Sequence, residues 1–323
     1  MKKQIVTIAA LAMSLNMFAQ QWPVPNQEAK PGTRWWWLGS AVTENDLKWN
    51  LRQFADHGIG AIEITPIYGV QGNEKNNIPF LSPRYMDILK YVNAECKADG
   101  IEFDMATGTG WPFGGPWVPL DESASQMLII DTTVVGKKIK ALDLRPIEKK
   151  RKNTTLVGIY AFSEGKFLKI TTPLVEGTLT TKLPSKGTWR IIALYQKKGV
   201  MAVKRAAPGG AGLVIDHFDK QAVTNYLKHI EEAFEKTGTP YPHTFFNDSY
   251  EVSESDYTPT LFQEFYNRRG YSLEENFDKL VDGDTNVVAD YRETLGDMLL
   301  DNFTRTWTAW AHSHGAITRN QAH

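Results

Sequence analysis

Cysteine is almost absent from this chain. Cys96 stands alone among 323 residues, so no internal disulfide can form and no Cys/His cluster of zinc-site spacing exists. Long apolar runs are missing too. The N-terminal run Ile5–Met17 is too short to span a bilayer, and no later stretch reaches the required length, so no membrane span is expected. An excess of one charge is also lacking. Thirty-six basic residues face 37 acidic ones, for a net charge of −1. That balance leaves no electrostatic footprint of nucleic-acid binding or of an anionic membrane. The glycine-rich stretch 107–115 lacks the P-loop lysine and the dinucleotide fingerprint spacing, which removes the phosphate-cradle reading.

Aromatic residues, by contrast, are plentiful: 10 Trp, 12 Tyr and 15 Phe. Most must be core, but aromatic faces also suit the apolar faces of sugars. Residues 1–19 read as a secretory signal, with Lys2 and Lys3 as the charged start, Ile5–Met17 as the apolar centre and Met17-Phe18-Ala19 as a cleavage site. The mature protein is therefore expected to be exported.

From Arg34 onward a helix–glycine–strand pattern recurs, the mark of alternating β/α units. Arg34–Leu38, Ala61–Ile64 and Ile101–Ala106 read as strands. Between them, Thr43 caps one helix with Asp46 three residues on, and Ser82-Pro83 opens another. That second helix carries Tyr85, Ile88, Leu89, Val92 and Cys96 on one face and stops at Gly100. Between about Ser125 and Arg205 the helical period gives way to short β-type runs at 127–135, 155–162, 166–170 and 188–196, separated by turns and lysine-rich segments. This reads as a small β-sandwich inserted into a barrel loop. The β/α pattern then resumes, with a strand at Thr244–Phe246, a long helix at about 285–313 and the opening of a fifth strand at Gly315–Arg319. The expectation is an α/β fold, the N-terminal part of a (β/α)8 TIM-type barrel. Strands 1–3 fall in 20–124, the insertion in 125–205 and the continuation in 206–323. A closed barrel needs eight strands, so the sequence reads as part of a longer enzyme.

The interesting polar residues fall at strand ends, where such barrels keep their chemistry. The stretch His243–Val252 is central: a buried strand breaks into Asn247-Asp248-Ser249-Tyr250-Glu251. Glycoside hydrolysis needs one carboxylic acid and one carboxylate about the scissile bond, and aromatic walls can raise the acid's pKa by desolvation. Glu251, in a polar-aromatic loop, is the first choice for catalysis. Asn247 and Asp248 are expected to orient it or the substrate, and Trp36, Trp37, Thr109 and Trp111 to face the sugar. Glu63 and Asp104 are further candidates, with a hydrogen-bonded barrel residue as the alternative for each. Asp216-His217 reads as a helix cap and a surface imidazole.

Several segments together resemble the glycoside hydrolase family 106 α-L-rhamnosidases. They are Pro31–Trp37, Thr107–Gly115, Lys204–Gly209 with Asp216-His217-Phe218, Asp248–Glu251 with Arg268–Tyr271, and Arg319–His323. The resemblance implies a (β/α)8 catalytic domain with β-sandwich additions, acting on terminal α-L-rhamnose of plant-type glycans through an inverting two-glutamate mechanism. It also implies calcium dependence, though no oxygen-rich loop of the EF-hand type is present to supply ligands. Glu251 would be one of the two glutamates, and His323 falls in the last matching segment, beside the substrate. The alternatives are a carbohydrate-binding fragment without turnover and a glycosidase for another hexoside.

Overall fold

The computed structural model describes residues 25–321. The proposed signal segment and His323 lie outside the described residues. The chain opens with β1 (Gly32–Leu38), α1 (Glu44–Asp56), β2 (Ala61–Ile67), α2 (Pro83–Asp99) and β3 (Glu102–Ala106). Local chemistry sets these boundaries. The Thr43 hydroxyl accepts from Asp46 N, Ser82 accepts from Tyr85 N with Pro83 in the first turn, and Gly100 ends α2 at φ 66°. The long β run follows: β4 (Gly114–Gly115), β5 (Ser125–Val135), β6 (Lys138–Asp143), β7 (Thr154–Ser163), β8 (Lys166–Ile170), β9 (Thr178–Lys182), β10 (Thr188–Lys198) and β11 (Leu213–Val214). The remainder is α3 (Lys220–Thr237), β12 (Thr244–Asn247), α4 (Leu261–Arg269), α5 (Phe277–Asp282), α6 (Thr285–Met298), a π-helical segment Leu299–Thr304, α7 (Arg305–Ser313) and β13 (Ile317–Asn320).

Five strands form one parallel sheet in the order β1-β2-β3-β12-β13. One face carries Trp37, Ile62, Ile64, Phe103, Met105 and Phe245, which pack on α1, α2, α3 and α7 through Leu51, Leu89, Ile230 and Trp307. The other face carries Arg34, Glu63, Asp104, Phe246 and Arg319 around a cavity of about 340 Å³. Arg319 on β13 bonds Glu63 on β2, three strands away. On a flat sheet three spacings are about 14 Å, beyond one arginine, so the sheet curls around this charged lumen. Closure into a barrel is not seen among the described residues.

The insertion is β-rich, as the short runs suggested, but its layering differs from a freestanding sandwich. Strands β5-β10-β7-β8 make a four-stranded antiparallel sheet, and β6 and β9 pair as a separate ribbon. One face of the sheet packs on that ribbon through Ile159, Ile191 and Trp189 against Ile139 and Leu179. Its other face, with Tyr160, Ile192 and Leu194, packs on α4 to α6 through Leu261, Phe265, Phe277 and Tyr291. A two-stranded ribbon cannot cover two faces, so helices from later in the chain cover the second.

Candidate active site

The aromatic stretch Trp35-Trp36-Trp37 lies in β1, where successive side chains point to opposite faces. Trp36 is 40% exposed and Trp37 is 1% exposed. Trp37 therefore does not face a sugar. Its ring meets Trp35 and Tyr85 edge-on in the sheet–helix core. Trp36 instead joins Leu38, Ile67, Tyr68, Trp111 and Arg205 around an open cleft of about 360 Å³ at the carboxyl ends of the strands.

The loop that carries Trp111 is pinned from below and from the side. Thr107 donates from its backbone N to Phe246 O (2.9 Å), and its own carbonyl accepts from the Tyr226 hydroxyl (2.9 Å). Its hydroxyl accepts from Trp307 Nε1 (3.1 Å). Gly110, at φ 50°, donates to Pro66 O (3.0 Å) and lies so close to Lys204 that an added Cβ would stand 1.9 Å from its carbonyl oxygen. Trp111 and Lys204 then form an antiparallel bridge, with Trp111 N to Lys204 O at 3.1 Å and Lys204 N to Trp111 O at 2.8 Å.

This bridge brings Lys204 to Glu251. The Lys204 ammonium lies 2.8 Å from Glu251 Oε2, and the Ser249 hydroxyl donates to Oε1 at 2.7 Å. Lys204 first, then Ser249, with the Trp111 indole adding to them, hold the Glu251 carboxyl down at about 2. Glu251 is solvent-facing and ionised throughout the neutral range. Neither Asp248 nor Asn247 orients it. Asp248 turns into the lumen, where Oδ2 accepts from Arg34 Nη1 (3.1 Å), and Asn247 Nδ2 donates to Asn320 Oδ1 (2.6 Å). Thr109 is buried against Gly210. The space between Thr109, Asn247 and Asp248 holds only about 10 Å³, too little for a sugar.

Glu63 and Asp104 sit deeper, one strand apart in register with Arg34. Arg34 Nε bonds Glu63 Oε1 (2.8 Å), while Arg319 reaches Glu63 Oε2 (2.5 Å) and Asp104 Oδ2 (3.3 Å). Both arginines lie over the Phe246 ring. Burial pushes the Asp104 carboxyl up, against the pull of Thr244 and Arg319. These two carboxylates are thus ion-pair residues on the concave face of the parallel sheet, apart from the aromatic cleft. Asp216 and His217 also differ from their expected role: both are buried, and Asp219 is the residue that caps α3. The residues missed by sequence reasoning are Lys204, Arg205 and Tyr68. The segment Lys204–Gly209 stood out in the family resemblance, but nothing local tied it to Glu251. Among the described residues no group of three or more His, Cys, Asp or Glu could hold a metal ion. The site carboxylates are already engaged by Arg34, Arg319 and Lys204, so they do not fit the calcium implied by the resemblance.

Parallel strands with an aromatic cleft and an ionised carboxylate at their carboxyl ends have the form of a carbohydrate-active α/β enzyme. The chain belongs to glycoside hydrolase family 106, described as alpha-L-rhamnosidase, whose sequence profile matches residues 23–156 and 161–322. The fold is similar to that of a rhamnosidase from Novosphingobium sp. PP1Y, with a TM-score of 0.69 and 16% identity over 92% of this chain and 46% of that one. A Formosa agariphila protein named "Putative beta-glucuronidase" is 25% identical over 344 residues, 90% of this chain and 29% of that protein. The chain thus spans under half the length of both.

Proposed function

We propose that this chain carries one wall and one catalytic carboxylate of an exported glycosidase that removes terminal α-L-rhamnose from plant-type glycans. The observation that carries the reading is Glu251, ionised beside Ser249 and Lys204, with Lys204 bridged through its backbone to Trp111 of the aromatic cleft. Inverting hydrolysis requires an acid to protonate the leaving oxygen and a carboxylate to activate water on the opposite face, with the two carboxyl groups roughly 6.5–9.5 Å apart. Glu251 is one of this pair. While Lys204 is bound it suits the group that accepts a proton from water; to donate a proton it must first lose that cation. Trp36 and Trp111 supply apolar faces for the sugar ring. The pattern of Lys2, Lys3 and the apolar run after them supports export.

The test is hydrolysis of an aryl α-L-rhamnoside by the full-length protein that contains this chain and by its Glu251→Gln variant. Loss of general acid–base assistance is worth about 10²–10⁴-fold. Turnover by the variant within a few-fold of wild type would remove Glu251 from catalysis. Binding of rhamnosyl oligosaccharides without product from either protein would establish a binding role in place of hydrolysis.

A further inference from the structure

Among the described residues, Arg205 is the one charged residue that lines the aromatic cleft, and three observations set it apart from the other arginines nearby. Its backbone is left-handed, at φ 55°, a conformation that costs a non-glycine residue free energy and is retained where surrounding structure demands it. The constraint is visible: Arg205 O accepts from Tyr68 N (3.1 Å), and Lys204 before it is locked to Trp111. Its guanidinium carbon lies 5.5 Å from the centre of the Tyr68 ring and 5.9 Å from that of Trp111. Finally, no carboxylate pairs with it among the described residues. Arg34 and Arg319 are engaged by Glu63, Asp104 and Asp248, and Glu251 is taken by Lys204.

A guanidinium held over aromatic rings can still offer its N–H fork to a ligand. A planar fork at the edge of an aromatic cleft matches a carboxylate in two-point geometry. The cleft, at about 360 Å³, falls within the range of small-ligand sites. The geometry points to Arg205 as the recognition residue for a hexuronate, the acidic sugar adjoining the residue that is cleaved. This rests on the glycosidase reading above and deepens it: the preferred substrate carries a carboxylate next to the terminal deoxyhexose, and the aromatic walls alone would not select it over a neutral neighbour.

The experiment is calorimetric titration of the chain with an α-L-rhamnosyl-hexuronate disaccharide and with its carboxyl-reduced counterpart. A hydrogen-bonded charge pair favours the acidic ligand by roughly tenfold or more, and the preference shrinks as salt is added. Arg205→Gly removes the guanidinium while suiting the left-handed backbone, so it keeps the fold and drops the ratio of affinities toward one. Arg205→Lys, which keeps charge but not the fork, retains part of the preference. Equal affinities in the wild type, an unchanged ratio in Arg205→Gly, or no heat with either disaccharide would each overturn the assignment. Tighter binding of a sulfated disaccharide than of the hexuronate would overturn it as well, in favour of a sulfate site. Loss of turnover on the aryl rhamnoside with the preference intact counts against the glycosidase reading alone. Turnover with no preference counts against this one alone.

Discussion

Gly110→Ala is the sharpest probe of how the cleft is assembled. The new Cβ would stand 1.9 Å from Lys204 O and 2.8 Å from the Arg205 carbonyl carbon, both backbone atoms that cannot rotate away. The residue also sits at φ 50°, where a side chain costs about 1–2 kcal/mol. Relief of the clash must part the Trp111–Lys204 bridge, whose two hydrogen bonds are worth about 1 kcal/mol each. The expected loss is therefore about 3–4 kcal/mol, a large share of the 5–15 kcal/mol typical of a domain. Gly100→Ala is the matched control. Gly100 ends α2 at φ 66° with nothing within 4 Å of an added Cβ, so it incurs only the left-handed cost. Urea unfolding followed by tryptophan fluorescence should separate the two variants by about 2 kcal/mol. Equal losses would refute the claim that close approach to Lys204 holds the Trp111 loop.

Lys204→Met removes the first cause of the depressed Glu251 pKa, so the Glu251 titration, followed by carboxyl carbon NMR, should move up from about 2 toward the ordinary carboxylate range. An unmoved titration would mean that the pair does not persist in solution. Trp37→Ala should cost about 3–5 kcal/mol as a fully buried core residue. Trp36→Ala should cost under about 1 kcal/mol in denaturant yet weaken sugar binding, a contrast that calorimetry and urea melts would read together. Burial raises the Asp216 carboxyl to about 7, above its unfolded value. Its contribution to stability is therefore full below about pH 4 and is lost as pH rises toward 7. Asp216→Asn keeps an acceptor for Phe218 N, which now bonds Asp216 Oδ1 at 2.9 Å. The variant should flatten that part of the pH dependence of the urea midpoint, and an identical slope would contradict the assignment.

Much of the framework was legible because its signals are local. Thr43 and Ser82-Pro83 open helices and Gly100 ends one where the structure has them, and the apolar runs at 127–135 and 188–196 are β5 and β10. Strands β6 and β9 escaped notice because lysines and threonines alternate with their few buried residues, such as Ile139 and Leu179. Three consecutive tryptophans could not declare which of them faces the core, since only pairing with β2 sets the alternation. The long helix at 285–313 is in fact broken by a π segment at Leu299–Thr304, a hydrogen-bond shift that leaves no compositional mark. In the site, Glu251 and the Trp111 loop were visible as motifs. The partners that define their chemistry were not: Lys204 lies 47 residues from Glu251, and Arg319 lies 256 from Glu63. The first pair follows from the Trp111–Lys204 bridge and the second from sheet curvature, neither of which periodicity encodes.

The inserted β unit invites a modular view, in which residues 125–205 could be excised to leave a leaner α/β unit. The seam between the two argues otherwise. Ser125 Oγ donates to Tyr257 O (2.8 Å), Tyr257 N donates back to Ser125 O, and Asp256 Oδ1 accepts from Met127 N (2.6 Å). The first residues of β5 thus moor the far end of the segment that carries Glu251. Removing the insertion would also bare the faces of Leu261, Phe265 and Phe277. The insertion is better understood as a buttress, and shortening this protein without losing its chemistry would mean trimming the outer ribbon of β6 and β9 while leaving β5 and β10 in place.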